Sequence, residues 1–371
     1  MLVSRKVDIV LLGSVPPPFH GQAIMTAEVF SIDWAPLRSE RVEAAFSRSM
    51  HDVGALRFRK VLVLFGALMR LLFLRFFRGA RVLYVTAGSA RWAPLLRDAV
   101  LIGLGGRLFP HLVVHYHSGG LPEMFSRSFL ASILGRLAYG GAEVAVGLCR
   151  GVAVPVYGGT RLEIVPNGLR IDAGPWPAGG SGTLRLLYVG SLRRTKGVDT
   201  LLEAMAADSL LGRDNLECHL VGEWASEEER RALEPLVARL PSGRVVLHGL
   251  VTGGEKLALL RQSDLFVFPS RYQSENQPLV VIEAFACGLP VIGSSWRGIP
   301  EMIEDGANGI LVPASDAGAL AEAIELLLDD PGLRSRMGAK ARSSYEKNHT
   351  ELAFSRRIRE LICEIASHDE A

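Results

Sequence analysis

Residues 265–290 read LFVFPSRYQSENQPLVVIEAFACGLP: an apolar run, a polar loop and a helix-period run, in that order. Leu265–Phe268 is short, wholly apolar and aromatic-rich, the pattern of a strand buried on both faces. After it, Pro278 suits the first position of a helix, where its missing N–H costs nothing. Gly288 suits the residue just past the helix, and Pro290 blocks continuation. A helix of about nine residues is therefore expected between Glu275 and Gly288, with Glu283 inside it.

Working outward, the same alternation fills the chain. Buried-strand patterns recur at 8–12, 81–85, 112–116, 144–148, 184–189, 217–221, 245–247, 265–268 and 290–293, with helix-period segments between most of them. This predicts an α/β fold of doubly wound parallel sheets. The pattern runs twice, broken at 168–183, where Gly, Pro and Ala concentrate as in an exposed linker. Two Rossmann-like domains are expected, 1–170 and 171–371, facing across a cleft at the carboxyl ends of their strands. The segment 333–365 reads as charged helix, and the sequence leaves open whether its last helix packs back on the first domain.

A chain of 371 residues suits two domains, and 49% apolar with 22% charged residues suits globular cores. Four scattered cysteines with no CxxC pair argue against a disulfide framework or a zinc site, and for a reducing cytosol. Arg5, Lys6 and Asp8 interrupt the N-terminus too early for a signal peptide. The net charge of +2 hides an asymmetry. Residues 1–172 hold 20 Lys/Arg against 11 Asp/Glu, and residues 173–371 hold 21 against 28. A basic first half suggests an anionic partner, membrane lipid, a phosphorylated acceptor or nucleic acid, or else only two differently charged surfaces. Of the partners, nucleic acid is not expected.

The chemistry concentrates around Glu275 and Glu283. One carboxylate before a helix and one inside it can accept hydrogen bonds from sugar hydroxyls and from a ribose diol, each such bond contributing roughly 1.5–3 kcal/mol. The helix N-terminus between them offers free N–H groups to a diphosphate, through Leu279 and Val280. Two glutamates eight apart are also common on surface helices, so the strand–loop–helix context carries the reading.

That stretch resembles the Glu-x7-Glu motif of the retaining glycosyltransferases of family 4, which have the GT-B fold. The resemblance extends over nearly the whole second domain. Val189-Gly190-Ser191-Leu192-Arg193-Arg194-Thr195-Lys196-Gly197 is similar to the family's phosphate-binding turn. Leu220-Val221-Gly222-Glu223, His248-Gly249, Gly298-Ile299-Pro300-Glu301 and Asn308 to Pro313 match its further segments, and Val165-Pro166-Asn167-Gly168 its domain junction. The resemblance implies that Glu275 binds donor-sugar hydroxyls, Glu283 the ribose and Lys196 the diphosphate. Two departures stand out. Ser191 lies where many members have arginine, leaving Arg193 or Arg194 to supply a second cation. Asn276, Gln277 and Pro278 replace the usual glycines after the first glutamate, which makes Asn276 and Gln277 candidates for sugar contacts.

In the first domain, Gly21 closes a loop between a strand and a helix and is similar to the family's glycine loop. His117, just past the strand at 112–116, resembles the family's active-site histidine; a structural histidine at a strand end is the plain alternative. Ile102-Gly103-Leu104-Gly105-Gly106 lacks the context of a dinucleotide fingerprint. Residues 57–81 hold seven cations and no acid. At 100° per residue Arg57, Lys60, Arg75 and Arg78 fall within about 60° of one another. This is either a basic amphipathic helix for an anionic membrane face or a buried helix whose arginines snorkel. Arg70 excludes a transmembrane span.

The resemblance implies retaining, metal-independent hexosyl transfer from a nucleoside diphosphate sugar, a UDP-sugar first, with no other cofactor. The acceptor expected is lipid-linked or a growing polysaccharide of the bacterial cell surface. The protein would be cytoplasmic, peripheral at the inner membrane. A GT-B sugar-nucleotide epimerase or phosphorylase, or an inactive GT-B scaffold, are the alternatives.

Overall fold

The computed structural model describes residues 6–17, 19–44, 58–174 and 182–367. Pro18, Arg57 and the centre of the Gly/Pro-rich linker at 175–181 lie outside them, as do the side chains of Arg59 and Lys60.

The chain runs β1 (Ile9–Gly13), α1 (Gly21–Ser31), β2 (Ser39–Glu43), α2 (Phe58–Phe77), β3 (Val82–Thr86), α3 (Trp92–Val100), β4 (His111–His115), α4 (Leu121–Arg127), α5 (Phe129–Tyr139), β5 (Val144–Gly147) and β6 (Arg161–Ile164). It continues through β7 (Leu184–Val189), α6 (Val198–Met205), α7 (Asp208–Leu211), β8 (Leu216–Val221), α8 (Glu227–Ala238), β9 (Val245–Gly249), α9 (Gly253–Arg261), β10 (Leu265–Phe268) and α10 (Leu279–Ala286). It ends with β11 (Val291–Ser294), β12 (Gly309–Val312), α11 (Ala317–Asp329), α12 (Pro331–Ser344) and α13 (Glu351–Ser367). Two compact units result. Unit 1 holds residues up to Gly168 together with the segment from Glu351, and unit 2 holds Leu169–Thr350.

Each unit is built on a six-stranded parallel sheet, and the expected α/β architecture is present in both. Unit 1 has the order β2-β1-β3-β4-β5-β6, and unit 2 the order β12-β11-β10-β7-β8-β9. The second is the doubly wound Rossmann order, with strand order reversing between β7 and β10. The central strands are apolar because helices cover both faces: every residue of β1, β3, β10 and β11 is buried. Three strands escaped the sequence reading. β2 (SERVE) and β6 (RLEI) are edge strands with polar, partly exposed residues, and β12 (GILV) is only half buried. Exposed edges tolerate charge, so apolar runs do not mark them.

Helix α13 packs on α1 and β3 of unit 1. Phe354 is fully buried there with its ring centroid 6.3 Å from that of His115, and Arg161 pairs with Glu364 at 2.6 Å. In unit 2, Tyr345 Oη donates to Leu169 O at 3.0 Å and Arg261 Nε to Ala173 O at 2.6 Å, fastening the segment that enters the unit. The four cysteines are free thiols. Residues 101–105, which hold all but the last residue of the Ile102–Gly106 run, form a π-helical turn.

Candidate functional site in the second unit

The strand reversal of unit 2 sets two chain segments side by side: the turn after β7 and the loop after β10. The β7 turn ends in a 3-10 turn, Arg194–Lys196, stopped by Gly197 at φ 77°. A Cβ at Gly197 would lie 2.0 Å from the Pro269 carbonyl oxygen, so only glycine lets the two segments close up. Arg271 seals the contact. Its amide donates to Thr195 O at 3.0 Å, and its guanidinium reaches Asp199 at 2.6 Å and Thr200 at 3.1 Å on α6.

Glu275 sits at the centre and is 7% exposed. Its Oε2 accepts from Lys196 Nζ at 2.6 Å and from Ser270 Oγ at 2.6 Å. The ammonium lies 4.8 Å from the centroid of the Tyr272 ring and 5.6 Å from that of Phe268. Arg193 lies over the same Tyr272 ring at 5.5 Å. Burial first, and then the Glu275 charge, push the Tyr188 phenol well above its ordinary range. Arg194 turns the other way, to Glu228 and Glu229 of α8 at 3.2 Å each. Ser191 is exposed, and its carbonyl accepts from Tyr188 Oη at 3.0 Å.

The loop then delivers Asn276 and Gln277, both buried, to α10. Here the sequence expectation needs one correction. Pro278 is the N-cap, in extended conformation at ψ 122°, and the helix starts at Leu279. Its capping proline has no side-chain acceptor, so the amides of Leu279 and Val280 keep the free N-terminal character the diphosphate reading needs. At the other end Leu289 N donates to Ala284 O at 3.0 Å and Gly288 N to Phe285 O at 2.9 Å, with Gly288 at φ 70°. That is a Schellman cap, as Gly288 promised. Glu283 stands about 6 Å along the axis from Leu279. Its Oε1 accepts from Lys256 Nζ of α9 at 2.6 Å, and its Oε2 is enclosed with no hydrogen-bond partner.

In unit 1, His117 lies two residues past β4, its ring centroid 4.0 Å from that of His115. Tyr84 hydroxyl meets His115 Nδ1. Neither ring nitrogen of His117 has a partner in hydrogen-bonding geometry, although Asn167 lies beside it. Burial lowers its pKa to about 3; Asn167 opposes the shift and His20 adds to it. His117 is thus a neutral imidazole near neutral pH. His20 caps α1, its Nδ1 accepting from Ala23 N at 3.2 Å, and exposed Gly21 is the first residue of that helix.

Residues 180–344 match the family model described as glycosyl transferases group 1. Unit 2 belongs to the group 1 glycosyl transferases. Among curated relatives, this group 1 domain resembles the alpha-D-kanosaminyltransferase of Streptomyces kanamyceticus, 35% identical over 159 residues, 42% of this chain and 39% of the relative. It also resembles the D-inositol 3-phosphate glycosyltransferase of Pseudarthrobacter chlorophenolicus, 37% identical over 196 residues, 49% of this chain and 45% of the relative. The match thus spans less than half the length of these relatives. Solved structures extend the likeness to the fold of both units. Sucrose-phosphate synthase from Thermosynechococcus elongatus superposes with TM-score 0.74 and 21% identity over 97% of this chain and 100% of that one. Anabaena HepE, solved with UDP and glucose, gives 0.73 and 18% over 96% and 99%. The fold is GT-B, as the sequence resemblance implied.

The group 1 domain also holds residues the sequence reading missed. Ser270 and Tyr272 lie inside the quoted stretch, two and four residues past the end of β10, and no pattern in the sequence marks them. Lys256 and the Arg271–Asp199 clamp depend on packing between segments far apart in the chain, and no spacing announces them.

Proposed function

We propose that the protein is a retaining glycosyltransferase that moves a hexosyl unit from a nucleoside diphosphate sugar, a UDP-sugar first, to a lipid-linked or polysaccharide acceptor of the bacterial cell surface. The observation that carries this reading is the Lys196–Glu275–Ser270 cluster at the strand reversal, beside the uncapped N-terminus of α10. Each part matches one part of the donor. Oε2 of Glu275 is saturated by Lys196 and Ser270, which turns Oε1 into the acceptor for sugar hydroxyls. Lys196, sharing its charge between Glu275 and the ligand, meets the diphosphate together with the Leu279 and Val280 amides. Glu283 takes the ribose hydroxyls, and Asn276 and Gln277 line the sugar. His117 binds the sugar or acceptor as a neutral hydrogen-bonding group.

In the reaction the bond from the anomeric carbon to the diphosphate oxygen breaks, and negative charge grows on the leaving phosphate. Lys196 stabilises that charge more in the transition state than in the ground state. The family resemblance implies a front-face displacement: the acceptor hydroxyl attacks from the face the phosphate leaves, its proton passing to the departing phosphate oxygen. The cation and helix N-terminus supply the charge a metal would, which supports a metal-independent step. The relatives' printed names, a kanosaminyltransferase and an inositol 3-phosphate glycosyltransferase, support glycosyl transfer and leave the acceptor to this proposal.

The test is release of nucleotide from UDP-, GDP- and ADP-sugars in the presence of bacterial membrane extract. Release that needs the extract and vanishes in Glu275→Ala supports transfer. Unchanged turnover in Glu275→Ala would overturn the assignment.

A further inference from the structure

Helix α2 has two apolar faces. Ala67, Leu71 and Leu74 are buried in the unit 1 core. On the opposite side Leu62, Phe65, Met69, Phe73, Phe76 and Phe77 are 40–72% exposed. At 100° per residue these six fall within about 120° of one another, so they form one outward stripe. A helix that only covers a core has a polar outer face; this one does not.

The stripe continues across the neighbouring elements. The π-helical turn 101–105 is wedged between α2 and α5. A Cβ at Gly105 would lie 2.9 Å from Leu68 of α2, and one at Gly103 2.9 Å from the Leu137 carbonyl oxygen of α5. Leu104, between the two glycines, is 56% exposed, and Phe129, Leu130 and Ile133 of α5 are 49–83% exposed. Arginines edge this surface. Arg75 donates to Leu108 O at 2.7 Å and Arg107 to Arg136 O at 2.8 Å, so backbone carbonyls, not carboxylates, hold their side chains. Residues 53–142 contain twelve Lys/Arg and two acids. One of those acids, Asp98, is buried and bonded to Gly88, Arg97 and Tyr139.

We propose that this face of unit 1, built by α2, the 101–108 turns and α5, docks on the surface of an anionic lipid bilayer. Phenyl rings and leucines enter the headgroup boundary while arginines meet lipid phosphates. No helix among the described residues is long and apolar enough to cross a membrane. A second copy of the chain fits worse: a two-fold dimer through this face would set arginines against arginines. The proposal stands apart from the donor chemistry, because it concerns a different surface.

The experiment is co-sedimentation of the full chain with vesicles of phosphatidylcholine alone or mixed equally with phosphatidylglycerol. Binding to the anionic vesicles that weakens with added salt is expected. Phe65→Ser/Phe73→Ser/Phe76→Ser should lower the partition about tenfold or more. Arg75→Gln/Arg107→Gln should lower it on anionic vesicles while leaving any residual binding to neutral ones unchanged. All three side chains changed to serine are exposed, and a circular-dichroism melt checks that the variants keep the fold. Equal partition of the native chain and the triple variant would overturn the proposal. So would equal binding to both vesicle types. Sedimentation velocity showing a dimer that the triple variant dissolves, with no vesicle binding, would assign the face to a second copy instead.

Discussion

Lys256 Nζ lies 2.6 Å from Glu283 Oε1, while the other oxygen of that carboxylate is enclosed without a partner. The lysine comes from α9 and holds the carboxylate in one orientation on α10. With donor ribose as the ligand of Glu283, Lys256 is a positioning residue. Lys256→Met should raise the donor KM about tenfold, equivalent to ~1.4 kcal/mol of binding, with kcat little changed. A donor lacking a ribose hydroxyl separates this from a general structural effect. It should bind the native protein more weakly than the normal donor, and the variant should discriminate far less between the two.

The Lys196–Glu275 pair makes a different prediction. On the proposed donor reading Lys196→Ala removes the cation from the leaving group and should lower kcat roughly 100-fold or more. It also leaves a largely enclosed carboxylate unpaired, for a stability loss of about 2 kcal/mol. Adding Glu275→Gln should restore much of the stability and none of the activity. Urea unfolding and initial-rate kinetics on the two variants read the two effects apart.

Gly197 tests whether the geometry of the turn matters by itself. Gly197→Ala puts a methyl against the Pro269 carbonyl in a left-handed backbone conformation, a strain of about 1–3 kcal/mol. The segment carrying Lys196 must then move away from the β10 loop. A lowered melting temperature together with a fall in kcat is expected, although no ligand-binding side chain has changed.

His117 should leave a mark on acid stability. Its folded pKa is about 3, whereas an unfolded-chain histidine titrates near 6.5. Between those values the unfolded state binds a proton that the folded state refuses. Stability therefore falls as pH drops below about 6.5, at up to ~1.4 kcal/mol per pH unit, and stops falling near pH 3. Between about pH 7 and pH 5 the native protein should lose about 2 kcal/mol more than His117→Gln in urea unfolding. Activity between about pH 6 and pH 8 should show no titration assignable to His117.

The two-sheet fold was legible because central parallel strands are buried on both faces, so runs such as LFVF and LRLLYV leave little alternative. The edges were not legible: SERVE in β2 looks like a loop because half its residues face water. Gly288 announced its cap through the one conformation glycine takes freely. Pro278 did not announce its position, because the same ring suits the cap and the first helical residue equally well. At the site, Glu275, Glu283 and Lys196 could be picked by resemblance, but their partners could not. Ser270 and Tyr272 stand in view in the quoted stretch without a pattern to mark them. Lys256 is 27 residues from Glu283, and only the packing of α9 against α10 brings them together.

Helix α13 has a consequence for how the molecule is made. The ribosome delivers the chain in order, and domains tend to fold as they emerge. Unit 2 is contiguous from Leu169 to Thr350, whereas unit 1 includes the segment from Glu351 onward. The second unit is therefore released whole while the first still lacks the helix that buries Phe354 beside His115. The half translated before its neighbour is completed after it, and Phe354 reaches His115 only once the segment from Glu351 has followed unit 2 out of the tunnel.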